Sequence, residues 1–363
     1  MSLTDRFRDP QAARWVVEKI RARSNRPVRL MEFCGGHTHA ILRFGIPSLL
    51  PETVDLRSGP GCPVCVTSAE DLDHAIALTE VPQVMLTTFG DMIRVPGSRT
   101  SLAQAKANGA DVRVVYSPLD ALQAARENPH RPVIFLGVGF ETTAPMVASA
   151  VLTADAEELD NFFVFSTHKL TPPATVAILD AGEVALDGII GPGHVTTVIG
   201  SQAWRFLADE YAIPCAIAGF EPLDLLRAIL ALVRMAEEDD PAISNTYARS
   251  VKAGGNPAAQ RAIDQVFEVT TANWRGLGMV PRSGLQIRDA YQRFDARCAF
   301  SVAPTPAVRP SGCRCGEVLR GVLTPPQCPL FGKACTPRNP IGPCMVSAEG
   351  ACAAYHQYGA YPS

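Results

Sequence analysis

The chain has 363 residues, 47% hydrophobic and 19% charged, with 33 Lys and Arg against 36 Asp and Glu for a formal net charge of −3. This length allows two or three domains that each bury a core, and the charge balance excludes both a disordered chain and the basic footprint of a nucleic-acid binder. No window approaches 18 uncharged apolar residues, and the opening MSLTDRFRDPQAARW carries charges where a secretory signal needs an apolar run, so a cytoplasmic protein without a membrane span is expected.

Residues 10–23 (PQAARWVVEKIRAR) have helical periodicity, with Trp15, Val16 and Ile20 on one face. The short apolar runs VRLMEF, VDLRS, VMLTTF and VRVVYS then follow up to residue 117, separated by helical stretches such as SAEDLDHAIALT and SLAQAKANG. Strand alternating with helix predicts a parallel α/β sheet. The rhythm restarts with VIFLGVGF (133–140), FFVFST (162–167), GIIGPG (188–193) and CAIAGF (215–220), each run ending in a polar, glycine-bearing tip. Residues 222–271 read as helical, through LDLLRAILALVRMAEED and PAAQRAIDQVFEV. From 304 the composition turns to Pro, Gly and Cys without apolar periodicity, and such a segment needs an inorganic staple because burial alone cannot fold it. The expected fold is α/β: two parallel-sheet domains over residues 1–120 and 121–221 flanking a cleft, and a mainly helical, cysteine-rich domain over 222–363.

Eleven cysteines in a cytosolic chain point to metal, cluster or redox chemistry rather than structural disulfides. Cys215 and Cys298 stand alone and read as small buried hydrophobes. The tail places Cys313, Cys315, Cys328, Cys335, Cys344 and Cys352 within forty residues. Four thiolates suit an iron–sulfur cluster or a zinc ion equally on spacing, with Cys328, Cys335 and Cys352 joined by Cys313 or Cys315 and Cys344 left spare. Cys62-Pro-Val-Cys65 follows Gly-Pro-Gly and leads into a helix, where the dipole favours thiolate, so the pair reads as a reversible dithiol, half of a metal site or two inert thiols. Cys34-Gly-Gly-His37-Thr-His39 sets a thiol beside imidazole on a glycine turn, which suits a transition metal or an activated nucleophile. Glu141, His168, His194 and Glu221 occupy the tips of the second rhythm, where helix capping or solvation accounts for each one singly. Asp91 and Arg94 read as a local ion pair, and Glu349 as an exposed loop acid.

Taken together these motifs resemble the HypD family of [NiFe]-hydrogenase maturation proteins. The resemblance runs in order through CGGHTH (34–39), GPGCPVC (59–65), TTFGDMIRVPGS (87–98), GFETTAP (139–145), STHK (166–169), GPGHV (191–195) and GFEPLD (219–224). It continues through CRCGEVLRG (313–321), CPLFGKACTP (328–337) and GPCMVSAEGAC (342–352). It implies a scaffold that works with a small partner, HypC, to assemble an Fe(CN)2CO unit bound for a hydrogenase large subunit, with cyanide supplied by HypE. On that likeness Cys34 holds the iron together with a cysteine of HypC, His37 lies close to it, and Cys62 and Cys65 form a redox pair beside it. The tail holds a [4Fe–4S] cluster, and Glu141, His168, His194, Glu221 and Glu349 become candidates for lining the cleft. A stand-alone iron–sulfur thiol–disulfide oxidoreductase is the alternative, and a zinc-stapled interaction module is a third reading.

Overall fold

The computed structural model describes residues 5–302 and 312–359; the opening of the proline-rich tail, 304–311, lies outside that range. Among the described residues, nine parallel strands form two sheets. The first takes β1 (Val28–Glu32), β2 (Val54–Ser58), β7 (Gly188–Pro192), β8 (Cys215–Ala218) and β9 (Ile243–Asn245) in the order β2-β1-β7-β8-β9. The second takes β3 (Met85–Thr88), β4 (Asp111–Val114), β5 (Val133–Gly137) and β6 (Phe162–Ser166) in the order β4-β3-β5-β6. The strands β3, β5, β7 and β8 are buried along their whole length, as strands covered by helices on both faces must be.

The two sheets do not divide the chain at residue 120 as the sequence rhythm suggested. β3 and β4 belong to the first rhythm but pair with β5 and β6 of the second, while β1 takes β7 as its neighbour with Leu30 opposite Gly188. The chain therefore leaves the first sheet after β2, builds the second sheet whole, and returns at β7. Uniformly apolar parallel strands carry no mark of which neighbour they will take, so periodicity could not reveal this crossing.

The helix Pro222–Glu238 packs along the helix Pro10–Arg23 and covers β1, β7 and β8. Val16, Val17 and Ile20 face inward, whereas Trp15 is 58% exposed beneath the Lys19 ammonium, contrary to its expected place on the buried face. The expected helix beyond residue 257 stops at Val266. Phe267–Trp274 (β10) instead pairs antiparallel with Gly278–Ile287 (β11), a hairpin that the helical reading missed. The run FEVTTANW is β-branched and alternates in burial, which suits a strand better than a helix. This hairpin is a two-stranded sheet of its own, tied to the segment just after β6, where Leu285 N–H donates to the His168 carbonyl at 3.2 Å and Leu170 N–H to the Ser283 carbonyl at 2.8 Å. The third region is thus partly β, and β9 within it completes the first sheet. No described helix is long and apolar enough to cross a membrane.

Candidate functional site

In each parallel sheet all carboxyl ends lie on one edge, so the tips after β1, β2, β7 and β8 meet there. Cys34 ends β1 and precedes the helix Gly35–Arg43. The loop after β2 lies directly upon it, with Gly35 N–H donating to the Gly61 carbonyl at 2.9 Å. A Cβ on Gly61 would stand 2.1 Å from Cys34 N and 2.4 Å from its Cα, so only glycine permits this approach. From the other side, a Cβ on Gly35 would meet the Glu349 carbonyl oxygen at 2.4 Å. The tail helix Ala351–Tyr358 packs on Gly35–Arg43 and holds that loop down.

Around the Cys34 thiol, His194 from the tip of β7 brings Nδ1 to 3.6 Å from Sγ. His37 and His194 flank the ring of Phe220, with centroid separations of 4.9 and 5.1 Å. His37 Nε2 lies 3.2 Å from the Ala218 carbonyl, which can only accept, so Nε2 carries the proton and Nδ1 holds a lone pair. That Nδ1 is buried without a hydrogen-bond partner. Burial pushes His37 down to about 3, with His194 adding to the effect, and pushes His194 down to about 4, so both imidazoles are neutral at pH 7. Burial likewise holds the Cys34 thiol well above its ordinary range, helped by Glu32 and Glu349. The resting site is a protonated thiol facing a neutral base, not an ion pair.

Glu32 is the residue that sequence reasoning missed. It ends β1 inside the protein, where it accepts from Cys34 N–H at 2.7 Å, from the Thr38 hydroxyl and from Ser58. Burial pushes it up to about 8 despite these donors. A carboxylate at the end of the apolar run VRLMEF was the available signal.

His194 and Glu349 share an open cavity of ≈ 210 Å³ with Gly61, Phe89, Phe140 and Thr143, which spans the tips of both sheets. The other three cleft candidates lie elsewhere. Glu141 turns away to cap the helix Thr171–Ala181, accepting from Thr171 N–H at 2.8 Å and its hydroxyl at 2.9 Å, and burial pushes it up to about 7. Glu221 caps Pro222–Glu238 in a capping box and pairs with Arg8 at 2.5 Å. His168 is buried beside the hairpin, near Phe267 and Ser166. For Glu141 and Glu221 the bland capping explanation is the correct one.

Cys62 opens the short helix Pro63–Val66, and its Sγ accepts from Cys65 N–H at 3.2 Å. The dipole argument for a thiolate fails at Cys65: a four-residue helix has little dipole, and burial raises this thiol well above its ordinary range. On its inner side Cys65 reaches Cys344, which itself reaches Cys315 and Cys352. Cys344 was expected to be spare; it stands instead where the Cys62–Cys65 pair meets the tail. Cys313, Cys315, Cys328, Cys335, Cys344 and Cys352 line one apolar cavity with Leu330, Phe331 and Met345. Among the described residues no group of three or more His, Cys, Asp or Glu side chains is arranged to hold a single metal ion. Sulfur is the only ligating atom type lining that cavity, spread around its wall, and a cubane that takes one thiolate at each of four irons fits such a donor set. All eleven cysteines are free; Cys215 is buried as expected, whereas Cys298 is exposed, contrary to expectation, with Gln292 Nε2 at 3.5 Å from its sulfur.

Residues 11–359 match the family model described as "HypD: Hydrogenase formation hypA family". The chain is 47% identical to the hydrogenase maturation factor HypD2 of Bradyrhizobium diazoefficiens, over 99% of this chain and 98% of that protein. It is 50% identical to the hydrogenase expression/formation protein HupD of Azotobacter chroococcum, over 99% and 97% of the two chains, and 46% identical to HypD of Escherichia coli K12, over 99% and 98%.

Proposed function

Because the chain belongs to the HypD family of hydrogenase maturation factors, we propose that it is the platform on which an Fe(CN)2CO unit is assembled, with HypC as its partner and HypE as the cyanide donor. One observation carries this reading: a buried thiol, Cys34, faces His194 at 3.6 Å, and both His194 and His37, whose Nδ1 is orphaned, pack on Phe220. Soft sulfur beside imidazole suits low-spin iron, which enters as cargo. Taking up iron requires Cys34 to lose its proton, and His194 is the base in reach to receive it. The positive ion then reverses the local preference for a neutral thiol.

Cleaving a thiocyanate into a thiolate and cyanide consumes two electrons, the number a dithiol yields as it closes to a disulfide. Cys62 and Cys65 supply that pair beside Cys34, and the Cys65–Cys344 contact offers the route by which the pair is reduced again. A [4Fe–4S] cluster, if bound by thiols of the tail cavity, would supply electrons one at a time. Cys328, Cys335 and Cys352 with Cys313 or Cys315 would hold it, and Cys344 then remains a free thiol between cluster and dithiol.

Anaerobic purification with co-expressed HypC, followed by infrared spectroscopy and iron counting, tests the reading. Cyanide and carbonyl bands that vanish on Cys34→Ala support it. Four irons per chain with no such bands under any condition would replace it with the thiol–disulfide oxidoreductase, which the Cys65–Cys344 contact also suits but which has no use for Cys34 and its histidines.

A further inference from the structure

Resting on the proposed cluster as electron acceptor, we propose that the loop 330–339 and the adjoining Arg94 form the docking surface for a small, acidic, one-electron carrier protein. The loop is pinned by its own backbone: Cys335 N–H donates to the Leu330 carbonyl at 2.9 Å, Gly332 N–H to Cys335 at 3.1 Å, and Asn339 N–H to Thr336 at 3.0 Å. Its one thiol, Cys335, turns inward to the tail cavity, where Ile341 N–H lies 3.4 Å from Sγ. Its two cations, Lys333 and Arg338, turn outward and are exposed. Arg94 is exposed as well and donates to the Pro337 carbonyl at 2.5 Å, which lays its guanidinium against the loop rather than against Asp91 as the sequence suggested.

None of these three cations has a carboxylate partner among the described residues, whereas Arg314 and Arg320 of the same tail are paired with Glu317 and Glu183. Glu349 of the tail lines the cavity it shares with His194. Residues 312–359 hold four Lys and Arg against two Glu, a formal +2 in a chain whose total is −3. The tail is therefore net positive while the rest of the chain is net negative.

That placement selects a protein as the electron source. Cys328, Cys335, Cys344 and Cys352 are each less than 10% exposed, while Cys313 and Cys315 are half-buried beside the separate open cavity at Trp274, so on the side of the loop 330–339 an electron must be delivered across the backbone. Lys333 and Arg338 stand two and three residues from Cys335, so a carrier seated on them is separated from the cavity by one layer of backbone. Opposite charge on the carrier raises its encounter rate by roughly 10- to 1,000-fold at low salt and leaves it free to dissociate. In the step itself one electron leaves the reduced centre of the carrier and enters the cluster; the carrier is oxidised by one electron, the cluster is reduced by one, and no bond or proton moves.

The test uses the anaerobically purified full chain with a plant-type [2Fe–2S] ferredoxin as probe, measuring Kd for the oxidised ferredoxin across a salt series. Binding that weakens steeply with salt is expected, and the double variant Lys333→Glu/Arg338→Glu should weaken it at least tenfold at low salt. The matched variant Lys252→Glu/Arg261→Glu, which changes net charge equally, should leave Kd near wild type. Equal affinity in wild type and the loop variant, salt-independent binding, or equal loss in both variants would overturn the proposal. Photoreduced deazaflavin, too small to need docking, should bleach the visible absorption of wild type and loop variant alike. A chain with nothing to bleach sinks the cluster reading, and electron entry with it, by a signature distinct from altered ferredoxin binding.

Discussion

Glu32 offers the sharpest test of how the Cys34 tip is held. Its carboxyl accepts from Cys34 N–H, Thr38 and Ser58 in the interior, and burial pushes its pKa up to about 8. Glu32→Ala strands at least two buried donors, at about 1–3 kcal/mol each, so a loss of about 2–5 kcal/mol is expected. Glu32→Gln keeps an acceptor oxygen and should cost much less near pH 6, where the native side chain is protonated. The pH dependence then separates electrostatics from shape. A carboxyl whose folded pKa lies above its unfolded value of 4.5 stabilises the fold fully below pH 4.5, and that contribution is lost as pH rises through 8. At about 1.4 kcal/mol per pH unit, wild type should lose up to about 3 kcal/mol relative to Glu32→Gln between pH 6 and 8, and nothing further above that. Urea unfolding of both proteins from pH 5 to 9 reads this directly. Parallel stability profiles would refute the reasoning, because they would mean that the carboxyl does not change its protonation in this window.

Three further outcomes are expected. Gly61→Ala forces a Cβ into the backbone of Cys34 and breaks the 2.9 Å Gly35–Gly61 hydrogen bond, so it should cost about 2–4 kcal/mol in denaturant unfolding; a change below about 0.5 kcal/mol would mean that the loop relaxes freely. His168, which burial pushes down to about 3, contributes stability above its unfolded pKa of 6.5 that is lost as pH falls toward 3. His168→Gln should therefore flatten the acid side of the stability curve by about 1.4 kcal/mol per pH unit between pH 6 and 4, and an unchanged slope would rule out a neutral buried imidazole. Cys344→Ser should leave the tail's visible absorption in place while a Cys62–Cys65 disulfide no longer opens when that absorption is bleached; thiol counting after photoreduction checks this, and wild-type recovery of two thiols would remove Cys344 from the route.

The chemistry of this protein was written locally and could be read locally. Cys34 and His37 sit on one turn, Cys62 and Cys65 on another, and the tail thiols in one loop-rich stretch, so each group is visible within a short window of sequence. The α/β class was equally legible, since the alternation of apolar runs and helices is a property of neighbours in sequence. What crossed the chain was not. The pairing of β1 with β7, which delivers His194 to Cys34, is settled by packing between segments some 160 residues apart, and parallel apolar strands carry no label for it. The same holds for Cys344 against Cys65, and for Glu141 and Glu221, whose carboxylates the fold used up as helix caps. The sequence alone determined which side chains carry thiol, imidazole and carboxyl groups at the strand tips. Only the tertiary structure decided which of them meet, because burial and contact are set by the whole chain closing on itself.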